Sequence, residues 1–363
     1  MTLGKKARWW KLDEEGHIHC TLCPRGCVFS KNYQIGDCGV RVRSENELKT
    51  AVYGKISSLA VDPIEKKPLF HFYPGSSALS IASIGCSLHC RFCQNYQISQ
   101  SHVEVSEEGK LSYPFPLRDM SPEDVVNVAK DRGASVIAYT YNEPTIFWEF
   151  MYDTAKLAKK NGLLNVFITD GYINEQPMRV LAKYLDAANV DLKGDQTFYG
   201  KYTLTPNAPN SVLKAIKVMA EEGVHVEITT LIIPGLNDDE EWINWEAQWI
   251  LENLGPDTPV HLSRFYPTYL MRDRPRTPVE TIEKMRNLML ESGLNYVFAG
   301  NVPGSAWENT FCPNCGEKVI GRRGFEIRSW NLSEDMGCKS CGQHIPVKGE
   351  RKKETAWKKY LFR

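Results

Sequence analysis

An α/β fold built on a parallel sheet, either a barrel or an open doubly wound sheet, is what this sequence predicts. The first observation is a repeated unit, in which a helical stretch ends in glycine and an apolar run follows. It occurs at Asp131-Arg132-Gly133 before Ala134–Tyr141, and at Lys160-Asn161-Gly162 before Leu163–Thr169. It returns at Glu221-Glu222-Gly223 before Val224–Ile233, and at Glu291-Ser292-Gly293 before Leu294–Ala299. The runs are rich in Val, Ile, Tyr and Phe and some are apolar nearly throughout, as in parallel strands covered by helices. The second observation is that no G-x-G-x-x-G or P-loop pattern occurs, which weakens the nucleotide-binding doubly wound alternative.

Taken in order, residues 1–50 are cysteine-rich with little periodic apolar pattern, and residues 51–305 carry the repeated unit. Further strands are expected at Ser80–Ile84, Ala188–Leu192 and Val260–Phe265, giving six or seven strand–helix units. Ser121-Pro122-Glu123-Asp124 supplies a helix N-cap, a proline at the first helical position and two acids in the first turn. Residues 306–363 read as a separate C-terminal piece with its own cysteines and a lysine-rich end.

With 363 residues the chain has room for about two domains. Hydrophobic residues make up 42%, which excludes wholesale disorder. The 44 Lys+Arg and 44 Asp+Glu cancel, so a surface that coats polyanions is not expected. No run of about 18 apolar residues occurs, so no membrane span is expected. Met1-Thr2-Leu3-Gly4-Lys5-Lys6 lacks the apolar segment of a signal peptide.

The 11 cysteines fall into three groups: Cys20, Cys23, Cys27 and Cys38; Cys86, Cys90 and Cys93; and Cys312, Cys315, Cys338 and Cys341. Their tight spacings, without an export signal, suit thiolates converging on metals in a reducing, cytoplasmic setting rather than a disulfide scaffold. Four thiolates close a site, whereas three leave a position open for chemistry. The middle group is therefore nominated as catalytic, and the outer two as structural or electron-relaying.

The middle group reads Gly85-Cys86-Ser87-Leu88-His89-Cys90-Arg91-Phe92-Cys93 and follows an expected strand, where barrel active-site loops lie. A zinc knuckle completed by His89 or another histidine is the plain reading; a [4Fe–4S] cluster with one iron lacking a protein ligand is the other. C-x3-C-x2-C with an aromatic before its last cysteine resembles the radical S-adenosylmethionine (SAM) superfamily. That resemblance implies a partial (β/α)6-type TIM barrel, here with an N-terminal Cys-rich extension and a C-terminal zinc-ribbon-like module. It also implies a [4Fe–4S] cluster on Cys86, Cys90 and Cys93, whose open iron chelates SAM, and a low-potential electron donor such as ferredoxin or flavodoxin. SAM is then cleaved to a 5′-deoxyadenosyl radical that takes hydrogen from a substrate.

Other segments resemble relatives of pyruvate formate-lyase activating enzyme. Tyr139-Thr140-Tyr141-Asn142-Glu143-Pro144 is similar to their variant of the Gly-Gly-Glu-Pro motif, which implies Glu143 as acceptor for the SAM ammonium. Read without the resemblance, Glu143 is an acid at a helix N-terminus. Thr169-Asp170-Gly171 stands where relatives carry Thr-Asn-Gly, and Asp191-Leu192-Lys193 resembles their Asp-Leu-Lys, which implies Lys193 near SAM. Phe92 is implied near the adenine. His261, in His261-Leu262-Ser263-Arg264-Phe265-Tyr266-Pro267, reads as reaching the SAM ribose or carboxylate, or as a hydrogen-bonded core histidine.

A narrower resemblance spans nearly the whole chain. Cys20-Thr21-Leu22-Cys23-Pro24, Gly36-Asp37-Cys38-Gly39-Val40-Arg41, Asp62-Pro63-Ile64-Glu65-Lys66-Lys67-Pro68, Gly300-Asn301-Val302-Pro303-Gly304 and the C-terminal cysteine pairs resemble the radical SAM enzyme of the AmmeMemoRadiSam system. This implies Memo-type and AMME-type proteins as partners and leaves the substrate unidentified.

Cys312-Pro313-Asn314-Cys315-Gly316 and Cys338-Lys339-Ser340-Cys341-Gly342 are matched knuckles expected to close a zinc-ribbon site, with a rubredoxin-like iron as rival. Lys348, Arg351, Lys352, Lys353, Lys358 and Lys359 follow, with Trp357 and Tyr360 among them. The plain reading is a solvated helix; nucleic-acid binding is the weaker one. Cys20, Cys23, Cys27 and Cys38 suit zinc or an auxiliary [4Fe–4S] cluster. His17 and His19 precede them, but four sulfurs already suffice.

Two function classes remain, a radical SAM enzyme and a non-catalytic electron-transfer or zinc-stabilised binding protein. The second needs four protein ligands per metal, which the three-cysteine group does not supply. Within the first, activation of a glycyl-radical enzyme competes with direct modification of a substrate. Activators that carry auxiliary clusters place the extra cysteines after the SAM motif, whereas here they precede it or lie at the C-terminus.

Overall fold

The computed structural model describes residues 3–302, 304–352 and 355–360. Pro303 and Lys353, singled out above, and Met1-Thr2 lie outside them.

The chain begins with six short strands: β1 (Lys5–Lys6), β2 (Trp10–Leu12), β3 (Ile18–Cys20), β4 (Val28–Phe29), β5 (Arg41–Ser44) and β6 (Glu47–Thr50). They form two antiparallel sheets ordered β1-β6-β5 and β2-β3-β4. Their buried side chains, Ile18, Phe29, Val42 and Leu48 among them, belong to the same apolar core as the helices that follow. β7 (Lys55–Ile56) leads to the main sheet, which starts with β8 (Ser58–Pro63) and β9 (Ser77–Ala82).

After β9 come the one-turn helix α1 (Tyr96–Ser99), the hairpin β10 (Glu104–Val105) and β11 (Leu111–Ser112), and β12 (Arg118–Asp119), which pairs with β7. The repeated unit then runs α2 (Pro122–Asp131), β13 (Val136–Tyr139), α3 (Trp148–Lys160), β14 (Leu164–Thr169), α4 (Glu175–Ala182) and β15 (Ala187–Asp191). It continues with α5 (Gln196–Phe198), α6 (Asn210–Glu221), β16 (His225–Ile232), α7 (Glu240–Asn253), β17 (Val260–Arg264), α8 (Val279–Glu291) and β18 (Val297–Gly300).

The main sheet is ordered β18-β17-β16-β15-β14-β13-β9-β8. From β9 to β18 every pairing is parallel, and β8 alone runs antiparallel. β8 and β18 are its two edges, so the sheet is an open partial barrel of seven parallel strands with one antiparallel strand beyond them. The extra strand reads less clearly in sequence because a glycine-capped helix does not precede it. The capping signals at α2 are realised: Ser121 accepts from the Asp124 amide, and Asp124 accepts from the Ser121 amide in return.

The end of the barrel at the N-terminal edges of the strands is filled by residues 68–72. Glu227, near the start of β16, accepts from the amides of Phe70 (3.0 Å) and His71 (2.8 Å), and Asn189 donates to the Pro68 carbonyl (2.8 Å). Against this floor lies a second core, in which Phe70, Tyr296 and Phe298 pack with Val319, Ile320, Leu332 and Ile345 of the C-terminal residues. Those residues form the antiparallel sheet β19 (Thr310–Phe311), β20 (Lys318–Arg323) and β21 (Glu326–Trp330). Arg322 ties the sheet to the floor through a bond to Phe70 O (2.7 Å), and holds β19 through Thr310 Oγ1 (2.9 Å).

The basic end is not the solvated helix expected. Residues 356–359 make one short turn in which Trp357 is buried, its amide donating to Ser77 Oγ (3.1 Å). An indole that can pack on the sheet outweighs the charge pattern around it. Among the described residues, no helix is long and apolar enough to cross a membrane.

Candidate active site and metal centres

The middle cysteines lie in the loop after β9, at the C-terminal edge of the sheet. Gly85 has a φ of +88°, and a Cβ there would come within 2.4 Å of the Cys38 carbonyl, so glycine is required. Cys86 and Cys90 are buried and Cys93 is half-buried. The Leu88 amide approaches Cys86 Sγ at 3.4 Å, and Ser99 Oγ lies 3.2 Å from Cys93 Sγ. His89, the fourth ligand of the zinc-knuckle reading, is committed elsewhere: Nε2 meets Asp37 at 2.8 Å and Nδ1 meets Gln100 at 3.0 Å.

The ends of the next three strands bring Glu143, Thr169, Asp170 and Lys193 together. Glu143 is fully buried. Its carboxylate accepts from the Thr145 amide (2.9 Å), Thr145 Oγ1 (2.6 Å), Thr169 Oγ1 (2.8 Å to Oε2) and the Asp170 amide (2.7 Å). Burial, with Asp170 adding repulsion, pushes its pKa up to about 7. Thr169 thus acts on Glu143. Asp170, where relatives carry asparagine, forms an ion pair with Lys193 at 2.7 Å, and Asp191 forms a second at 2.5 Å. Burial opposes the Lys193 charge, but the two carboxylates outweigh it and hold its pKa well above the ordinary value. Lys193 Nζ lies 5.8 Å from the centroid of the buried Phe92 ring. All three thiols feel the charge of Asp170, and Cys90 and Cys93 also that of Lys193.

His261 does not join this group. It lies near the start of β17, with Nε2 2.6 Å from Glu227 and its ring edge-on to Phe70 and stacked on Phe298. It is the hydrogen-bonded core histidine of the two readings. Glu227 anchors the floor segment and needs a positive or donating partner there; its pKa is held far below the ordinary range despite burial, because His225 and His261 face it.

Two contributors were missed by the sequence reading. Asn142 Nδ2 donates to the carbonyls of Ser83 (3.0 Å) and Gly85 (2.7 Å), fixing the cysteine loop against the Glu143 loop. Asp62, inside the sheet, accepts from Tyr141 Oη (2.7 Å), Ser80 Oγ (2.8 Å) and Lys67 Nζ (2.8 Å). Asp62 and Lys67 lie in a phrase noted above, but only the fold turns them toward Tyr141.

The four C-terminal cysteines converge. Cys312 and Cys341 sulfurs are 3.6 Å apart, Cys315 and Cys338 3.8 Å, and all four lie within 4.8 Å of one another. The knuckles are built alike: Gly316 N donates to Cys312 O, and Gly342 N donates to Cys338 O. A tetrahedral ion with metal–sulfur bonds of about 2.3 Å sets its thiolates roughly 3.8 Å apart, which is this spacing. Hydrogen bonds from Asn314 and the Gln343 amide draw Cys341 toward the thiolate, while the neighbouring thiols push Cys315 the other way, so the four sulfurs titrate as one group. Cys20, Cys23 and Cys38 are buried and Cys27 half-buried beside the middle loop. His17 and His19 both turn to Asp13 instead.

An open parallel barrel with three cysteines after its first parallel strand, facing an acid and a lysine at later strand ends, is the architecture of one class. The sequence model of the Radical SAM superfamily matches residues 80–245, and the chain belongs to that superfamily. It is 42% identical over 344 residues to an uncharacterized protein of Methanocaldococcus jannaschii, covering 94% of this chain and 99% of that one. It is 24% identical over 174 residues to a putative glycyl-radical enzyme activating enzyme of the same organism, covering 47% of this chain and 67% of that one. Among solved structures, a domain of pyruvate-formate lyase-activating enzyme from Bacteroides vulgatus is similar at 21% identity and a TM-score of 0.39, over 45% of this chain and 98% of that domain.

Proposed function

We propose that this chain is a radical SAM enzyme in which Cys86, Cys90 and Cys93 hold a [4Fe–4S] cluster and leave one iron open for SAM. The observation that carries the reading is the juxtaposition of three unpaired, mostly buried thiols with the Glu143–Thr169–Asp170–Lys193 network at neighbouring strand ends. These residues fit the group: three soft ligands on one loop, and a buried carboxylate beside them to receive an ammonium. When bound, the cluster and SAM supply a 5′-deoxyadenosyl radical that abstracts hydrogen from substrate.

The chain's own residues bind and orient. Glu143 is the acceptor for the SAM ammonium, held in place by Thr145, Thr169 and the Asp170 amide. Lys193 is a fixed cation beside SAM, oriented by Asp170 and Asp191. Phe92 offers an apolar face near the adenine. The buried setting of Glu143 and Lys193 keeps water from the reacting atoms. Cys312, Cys315, Cys338 and Cys341 hold zinc, which braces the floor. The reductant is a low-potential donor of the ferredoxin or flavodoxin kind, the setting is the cytoplasm, and Memo-type and AMME-type proteins are partners implied by the subgroup resemblance. Trp357, buried against the barrel, is not available to stack on a base.

The test is anaerobic reconstitution with iron and sulfide, then SAM and dithionite, with 5′-deoxyadenosine quantified by mass spectrometry. Product from the native chain and none from Cys90→Ala is expected. No product despite a full cluster complement and measured SAM binding, with candidate substrates present, overturns the reading. A second reading, activation of a glycyl-radical enzyme, is favoured by similarity to the putative activating enzyme and to the trans-4-hydroxy-L-proline dehydratase activating enzyme of Clostridioides difficile. A glycyl-radical EPR signal appearing in a co-incubated partner enzyme distinguishes it.

A further inference from the structure

Cys20, Cys23, Cys27 and Cys38 surround a small enclosed hollow whose remaining wall includes Leu22, Phe29, Arg41 and Ile146. Their arrangement differs from that of the C-terminal four. Among the described residues, Cys312, Cys315, Cys338 and Cys341 are the one set of three or more potential ligands gathered within 4.8 Å. No three of the N-terminal cysteines come that close. A single tetrahedral ion requires thiolates roughly 3.8 Å apart. A cubane inserts iron and sulfide between them and needs a wider ring of thiolates around a void. The middle cysteines do not meet that limit either.

A second observation is independent of the cysteines. Arg41 is 2% exposed and lines the hollow. Its Nη2 donates to both Glu149 oxygens, at 2.8 and 2.9 Å. Its Nε and Nη1 are buried and have no partner among the described residues. Two orphaned guanidinium donors in an apolar wall are costly unless something accepts from them. The sulfurs of a cluster are acceptors, and a cluster with four thiolates carries negative charge that a guanidinium offsets.

We propose that Cys20, Cys23, Cys27 and Cys38 form a closed site for a second [4Fe–4S] cluster, with Arg41 donating from Nε and Nη1 to its sulfurs. The site stands on its own cysteines and does not depend on the reading of the SAM site. The two sites are neighbours: the Cys86 amide donates to the Cys38 carbonyl at 3.2 Å, and Arg25 donates twice to the Ser87 carbonyl. Thr145, which holds Glu143, also lines the hollow.

The test is metal content of the full chain after anaerobic reconstitution. In the triple variant Cys86→Ala/Cys90→Ala/Cys93→Ala the expected result is about four irons, about four sulfides and about one zinc per chain. An iron-free triple variant, with or without a second zinc, overturns the proposal. Should that variant fail to fold, Cys20→Ser/Cys38→Ser is compared with the native chain. Loss of about four irons supports the proposal, and unchanged iron overturns it. Failure of the SAM-site reading looks different: the triple variant then keeps all the iron of the native chain. Arg41→Lys keeps the charge facing Glu149 and removes the two spare donors. The EPR-monitored potential of the N-terminal cluster is expected to shift negative, and an unchanged potential overturns the role given to Arg41.

Discussion

Glu143 is buried and accepts from four donors, yet its pKa is raised to about 7, so burial and Asp170 outweigh the donors. A positive charge arriving beside it reverses that balance. SAM affinity is therefore expected to rise as pH increases through 7, with protons released on binding below it. Calorimetry in buffers of different ionisation enthalpy measures both, and Glu143→Gln should flatten the pH dependence and weaken binding at least tenfold, about 1.4 kcal/mol. Glu246 presents the same imbalance without a function. It is buried under β16 with Thr230 as its hydrogen-bond partner, and burial raises it to about 8. At this group the folded state binds more protons than the unfolded one between about 4.5 and 8, so its contribution to stability falls as pH rises through that window. Glu246→Gln should remove the fall, giving a gain on the order of a few kcal/mol at pH 9 and little change at pH 4, read by denaturant unfolding. Asp170 shows what sequence could not give at this scale. Its departure from the family's asparagine was visible, but its pairing with Lys193 depends on two strand ends meeting across the sheet.

At the scale of elements, caps and turns were the legible part. Ser121-Pro122-Glu123-Asp124 announced α2, and the structure closes both bonds of the capping box. Ser121→Ala should cost about 1 kcal/mol by thermal unfolding, without altering metal content. The glycines ending α2, α3, α6 and α8 all have positive φ, as expected from their place before apolar runs. β8 was missed because an edge strand in an antiparallel pairing carries none of the helix–glycine–strand signal. The turn after β9 is the sensitive one. Gly85→Ala would meet the Cys38 carbonyl in a left-handed conformation that alone costs about 1–2 kcal/mol. Loss of iron together with a lowered melting temperature is expected.

For the molecule as a whole, strand–helix alternation pointed to a barrel or an open doubly wound sheet, the family resemblance implied a partial barrel, and an open sheet of seven parallel strands is found. What sequence did not disclose is how the C-terminal cysteines serve the barrel. Their sheet shares a core with Phe70, Tyr296 and Phe298, and Arg322 bonds back to the floor. Such contacts join residues more than 200 positions apart and leave no local pattern to read. If the four C-terminal cysteines hold the proposed zinc, its chelation, or Cys312→Ser, should lower the melting temperature of the whole chain and expose residues 68–72 to protease, while Cys86, Cys90 and Cys93 still take up iron. The strand-like contacts of Lys348 with His71 and Tyr73 carry one more implication. Residues 310–352 leave the ribosome after every strand of the barrel. Phe70 and its neighbours must wait, uncovered, for a covering that is translated later. Until residues 310–352 emerge the nascent barrel exposes that apolar surface, and mutations in those residues should register first as poor yield of soluble protein rather than as altered chemistry.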